Sequence, residues 1–302
     1  MTHPARQHLV QGSPLDRIPP GCRAHAEQLA GNPAQWRLRR PASPHRPVDL
    51  WHASGPQGAY AVRVGTGQGI HEVLRHTAVL QQASGIQPFA YGDRATVWRA
   101  EHTATLITPW LEGPTTWDLF QPVRDCTPGR TGPRDAAVAL AVAVNQLHQA
   151  GWVHADLQPH HSIHTRHGSA SLTGCTWSTH HTLPHSPRFT TGLIHLAAPE
   201  LLTQAAGPHR PVTTQPAEVY ALAAGLWWAA TGSWPHDYQA AGINPAPLAA
   251  GALRKNRLER PIPLTPLTTW PNLAELLTPV LTSTPDRRPT ALQLAQWLRE
   301  LD

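Results

Sequence analysis

Apolar residues recur along the second half of the chain at helical spacing. They predict helices at 135–149, 216–231, 248–259, 271–282 and 290–301, the first of them alanine-rich and closed by a turn at Gly151. The first half reads differently. Short alternations at 49–51, 59–64, 88–91, 96–100 and 103–108 predict strands, and Val73, Thr77 and Leu80 place one helix at 70–82. Residues 1–45 are rich in Pro, Arg, His, Gln and Gly and carry one helical patch at 22–30, so they read as an irregular extension, mostly without regular structure. The expected architecture is α+β: the extension (1–45), a small sheet-rich lobe (46–108) and a larger helical lobe (109–302).

The densest chemistry lies in LHQAGWVHADLQPHHSIHTRHGSASLTGCTWS, residues 147–178. A helix end and a turn are followed by polar residues separated by Val153, Leu157 and Ile163, a pattern that holds Asp156 at fixed depth. The string His154-Ala155-Asp156-Leu157-Gln158-Pro159-His160-His161 resembles the protein-kinase catalytic loop, His-Arg-Asp-Leu-Lys-Pro-x-Asn, at four of its seven fixed positions. Ala198-Pro199-Glu200 resembles the end of the family's activation segment, and Glu218-Val219-Tyr220 the start of the buried helix after it. Arg288-Pro289-Thr290 resembles the closing motif whose arginine pairs with that glutamate. The chain is thereby similar to bacterial Ser/Thr protein-kinase-like domains from about residue 48 to 301.

The resemblance implies a two-lobed kinase-like fold with a hinge near residues 108–113, and it also fixes where each part of the phosphoryl-transfer apparatus would stand. Several parts are changed. The segment before the first lobe's lysine strand is proline-rich and has no GxGxxG; Gly65-Thr66-Gly67-Gln68-Gly69 lies after that strand, where an ordinary turn competes with a phosphate loop. Arg63 takes the lysine position, and the only lysine in the chain is Lys255. Its helix partner would be His76, or Glu72 one turn earlier. His161 takes the asparagine position and Gly174 the position of the Mg²⁺-binding aspartate. No Asp or Glu occurs between Asp156 and Glu200, although Mg²⁺ is a hard cation that requires oxygen ligands. Asp156 remains as a base for phosphoryl transfer or as a hydrogen-bonding structural acid. His154, Glu218 and the pair Glu200 and Arg288 are read as structural, the pair as a buried bidentate ion pair. Ala155 replaces an arginine that docks an activation-loop phosphate in many kinases.

The expected function is therefore a pseudokinase, a binding or regulatory module. The alternative is an atypical ATP-dependent Ser/Thr kinase or small-molecule phosphotransferase using Asp156 as base; a third reading is adenylylation. No cofactor is assigned beyond weak ATP, with or without Mg²⁺, and the expected partner is a protein.

Composition adjusts this picture little. Net charge is +5, but only 14% of residues are charged, which argues against a nucleic-acid partner. Cys22, Cys126 and Cys175 form no paired spacing, and no signal-peptide pattern opens the chain, so a reducing cytoplasm is expected. The most apolar run, 219–232, is shorter than the ~20 residues of a membrane span. His154, His160, His161, His164 and His167 crowd one loop; a transition-metal site and a solvated histidine surface are both compatible with that spacing. Twelve tryptophans are present, of which Trp110 and Trp117 flank the expected hinge.

Overall fold

The computed structural model describes residues 14–40 and 47–301 and is an α+β structure. Its contacts divide it into two compact units, one running to Thr77 and resuming from Arg94 to Trp110, the other made of Ala78–Asp93 and the chain from Leu111 onward.

The first unit is an antiparallel sheet of five strands, β1 (Gln35–Arg40), β2 (Val48–Gly55), β3 (Gly58–Thr66), β4 (Thr96–Ala100) and β5 (Thr103–Pro109), in the order β1-β2-β3-β5-β4. Helix α1 (Pro20–Ala30) begins with proline, whose missing N–H costs nothing in a first turn, and buries Cys22, Ala26 and Ala30 at intervals of four. This stripe meets one face of the sheet, where Trp51, Ala53, Val62, Val64 and Ile107 complete an apolar cluster with Ile18. Helix α2 (Gln68–Ala83) follows β3 across a close backbone approach: a Cβ on Gly65 would lie only 2.2 Å from the Gly69 carbonyl oxygen. The glycine cluster of 65–69 thus lets strand and helix touch.

Two expectations are corrected. Residues 35–40 are not irregular but form β1, in which Trp36 and Leu38 alternate with more exposed Gln35, Arg37 and Arg39. Residues 88–91 are not a strand: Gln87–Arg94 is a 3₁₀ helix that buries Phe89 and Tyr91 together. Part of the expected extension, residues 1–13 and 41–45, lies outside the described residues.

The second unit is mainly helical. Short α3 (Thr116–Leu119) and α4 (Gln121–Arg124) precede α5 (Thr131–Gln149), which starts one turn before the expected Asp135. A hairpin, β6 (Ser162–His164) with β7 (Ala170–Leu172), follows the loop that leaves α5. Then come α6 (Pro199–Ala206), α7 (Gln215–Thr231), α8 (Ala250–Glu259), α9 (Pro271–Thr282) and α10 (Ala291–Arg299). Helix α7 is buried on nearly every side, as its uniformly apolar sequence requires. It starts on Thr214, whose hydroxyl accepts the Ala217 N–H, and ends at Gly232 in the left-handed conformation. Helix α10 packs on α5, and α9 on α7. Among the described residues no helix is long and apolar enough to cross a membrane.

Candidate functional site

The loop after α5 is fastened from below by a carboxylate. Glu218, near the start of α7 and 1% exposed, accepts the Ala155 N–H at Oε1 (2.8 Å) and meets His148 Nε2 at Oε2 (2.9 Å). Burial pushes this carboxyl up, but the His148 hydrogen bond and charge, with the Ala155 amide, outweigh it and hold Glu218 below the usual carboxylate range. Ala155 itself sits at φ +65°, a strained conformation for alanine that this hydrogen bond helps to hold. On the other side, Val153 and Thr179 exchange backbone hydrogen bonds of 3.0 and 2.9 Å. Position 155 is therefore anchored on both flanks, and Asp156 follows directly.

His154 is fully buried against Phe89. Its Nδ1 accepts the Asp156 N–H (3.4 Å), so its Nε2–H donates to the Thr173 carbonyl (2.9 Å). Burial lowers its pKa and keeps the ring neutral. The histidine ties the Asp156 backbone to the strand end at Thr173.

The Asp156 carboxylate is 15% exposed. Gln158 Nε2 donates to its Oδ1 at 2.7 Å, and His161 Nδ1 lies 3.8 Å from its Oδ2. Gly192 closes over it: a Cβ there would stand 3.3 Å from Oδ1. Glu218 lines the same small cavity as Asp156, but its two oxygens are engaged by the Ala155 N–H and by His148.

His161 Nδ1–H donates to the Asp156 carbonyl (2.8 Å), and the His161 carbonyl accepts from the Thr173 amide (2.6 Å) and hydroxyl (3.2 Å). These bonds lay the imidazole over Gly174, which sits at φ +72°. A Cβ at 174 would be 2.7 Å from both Cε1 and Nδ1 of the ring, inside any real contact distance. The histidine at 161 and the missing side chain at 174 are thus one packing solution: while the ring stays, no carboxylate fits at 174.

Glu200 and Arg288 form a two-pronged pair, Nη1 to Oε1 at 2.5 Å and Nη2 to Oε2 at 2.9 Å. The arginine side chain is 1% exposed and the glutamate 24%. Arg288 also donates to the Pro216 carbonyl and lies over the Tyr220 ring, so it joins α6 to α7.

The remaining histidines of the loop disperse. His160 stacks on Trp117; His164 Nε2 meets the buried Thr116 hydroxyl at 2.7 Å. Among the described residues no three His, Cys, Asp or Glu side chains come together as a metal-binding group. In the first unit, Arg63 on β3 stands opposite Leu50 and Leu106. Its Nη1 is shielded without a hydrogen-bond partner among the described residues.

No motif in the sequence marked His148, the partner of Glu218; Gln158 stood in the catalytic-loop string, but its bond to Asp156 was not assigned there. Set against protein-family models and against curated proteins, the chain matches none.

Proposed function

We propose that the chain is a protein-kinase-like module that has lost phosphoryl transfer and serves as a binding or regulatory component. The observation that carries this reading is the His161 ring lying over Gly174, which excludes a carboxylate from the point where the kinase resemblance requires a Mg²⁺ ligand. Without a divalent ion on the phosphates, the largest electrostatic contribution to such catalysis, worth several kcal/mol or more, has no source. The strand order β1-β2-β3-β5-β4 with a helix between β3 and β4, the Glu218 anchor, and the Glu200 and Arg288 pair support retention of a kinase-like framework.

A second reading, an atypical ATP-dependent phosphotransferase, is favoured by two details. Asp156 is held in one orientation by Gln158 and is partly accessible, and Nη1 of Arg63 has no hydrogen-bond partner among the described residues. The two readings diverge in a thermal-melt titration. A nucleotide site raises the melting temperature by mass action at saturating ATP with Mg²⁺ or Mn²⁺. The module reading expects no such metal-dependent rise and no transfer of label from γ-labelled ATP. Transfer abolished by Asp156→Ala would overturn it.

A further inference from the structure

Five aromatic rings of the second unit stand in an unbroken row. Trp117 stacks on His160 (4.8 Å, 23°) and meets Trp228 (5.2 Å); Trp228 meets Trp234 (4.6 Å); Trp234 stacks on His195 (4.0 Å, 7°). His195 is fixed in turn by Tyr238, whose hydroxyl lies 3.0 Å from its Nδ1. Such mutual packing leaves little side-chain freedom to lose on binding. Yet His160 is exposed and the other four are partly so. A core would have buried them.

The row is rich in donors and poor in charge. Trp227 and Trp36 spend their indole N–H groups on Thr265 and Glu27, whereas those of Trp117, Trp228 and Trp234 make no hydrogen bond among the described residues and are not buried. Arg124 lies 4.0 Å over the Trp117 ring, but its guanidinium is committed to the Ala229 and Trp117 carbonyls and to Gln121. Asp118 is held in the helix cap at Thr115, and Asp237 by the Ala240 N–H. Burial lowers the pKa of His160, and burial with the nearby charge of Arg257, itself bound to the Ala197 carbonyl and the Tyr220 hydroxyl, takes that of His195 to about 4, so both are neutral at pH 7. A partner matched to this surface is uncharged, offers carbonyl acceptors, and fills the spaces between rings with compact apolar groups. A polyproline II segment does all three: its carbonyls make no internal hydrogen bonds, its prolines carry no N–H, and its stiffness limits the entropy lost on docking. Beyond Trp234 the row opens into a surface cavity of about 680 Å³ lined by Tyr238, Gln239, Ile243, Asn244 and Pro245, with Asp237 its one carboxylate, and the cavity extends the track.

We propose that the row from Trp117 to His195 is a docking surface for a proline-rich segment of a partner protein. It goes beyond the function proposed above and stands whether or not the chain transfers phosphate. Fluorescein-labelled decaproline, followed by anisotropy with the full chain, should bind saturably and with little dependence on salt. Trp234→Ala and Trp117→Ala should each weaken binding about tenfold. Trp234→Phe keeps a ring against His195 and protects the fold while removing the N–H; it should weaken binding about threefold to tenfold. Trp297→Ala, on α10 at 42% exposure and outside the row, should change nothing. In ¹⁵N spectra the indole signals of Trp117, Trp228 and Trp234 should move with added decaproline and that of Trp297 should not. Absence of saturable binding, equal affinity of the Trp234→Phe protein and the parent, or equal binding of a glutamate-rich decapeptide would overturn the proposal.

Discussion

Adding a single methyl group at Gly174 tests the contact on which the functional proposal rests. In Gly174→Ala the residue keeps φ +72°, and its Cβ arrives 2.7 Å from the His161 ring. The left-handed backbone costs an alanine about 1–2 kcal/mol. The overlap costs about 1–3 kcal/mol more, because the ring is held by its bond to the Asp156 carbonyl and has to be displaced. His161→Ala alone loses that hydrogen bond, about 1 kcal/mol. In the double variant the methyl group meets no ring, so the overlap disappears while the backbone cost stays. The double variant should therefore be more stable than the two single effects added together, by about 1–3 kcal/mol. Urea unfolding of the four proteins, read by tryptophan fluorescence and far-ultraviolet circular dichroism, gives the midpoints from which this coupling follows. If the single effects add to within about 0.5 kcal/mol, the ring does not occupy the space at 174. A carboxylate would then fit at 174.

Other expectations concern the anchors of the loop and of α6. Glu200→Gln leaves the 1%-exposed Arg288 without its counter-charge and should cost about 3 kcal/mol or more in urea unfolding. Glu218 has a folded-state pKa below its unfolded value, so it contributes stability that is fully present above the unfolded pKa and is lost as pH falls through the folded one. Unfolding free energies measured between pH 7 and pH 3 should fall less steeply in Glu218→Gln than in the parent. His164, His195 and His236 are depressed to about 4, 4 and 3, so the unfolded chain takes up protons first. Stability should decline from about pH 6.5 downward until each folded-state value is passed, and His164→Asn should flatten that slope between pH 6.5 and 4.

What could be read from the chain followed from local period. Helix α9 falls at the expected residues, and α7 begins one residue early, because runs such as 219–230 are too apolar and too long to be anything but buried helix. Strand β1 was hidden because three of its six residues are arginines and only Trp36 and Leu38 carry its inward period; what makes it a strand is pairing with β2. At 88–91 a short apolar alternation fits a strand or a tight helical turn equally, and burial of Phe89 beside Tyr91 decided for the turn. The substitutions at 161 and 174 are visible as residue types, but their mutual contact is not. It arises because the β6–β7 hairpin brings the chain back on itself, and no local pattern encodes that return.

The arrangement at 161 and 174 also limits the routes by which the chain could change. An aspartate introduced at 174 collides with the imidazole, and an asparagine introduced at 161 leaves 174 without any side chain, so neither replacement by itself rebuilds an ion-binding pair. Placing a carboxylate at 174 without collision takes a change at 161 as well, so the two positions have to change together. On the kinase-like reading proposed above, a one-letter scan would leave Mg²⁺ binding unchanged at either position, and the variant to measure is the paired one, His161→Asn with Gly174→Asp.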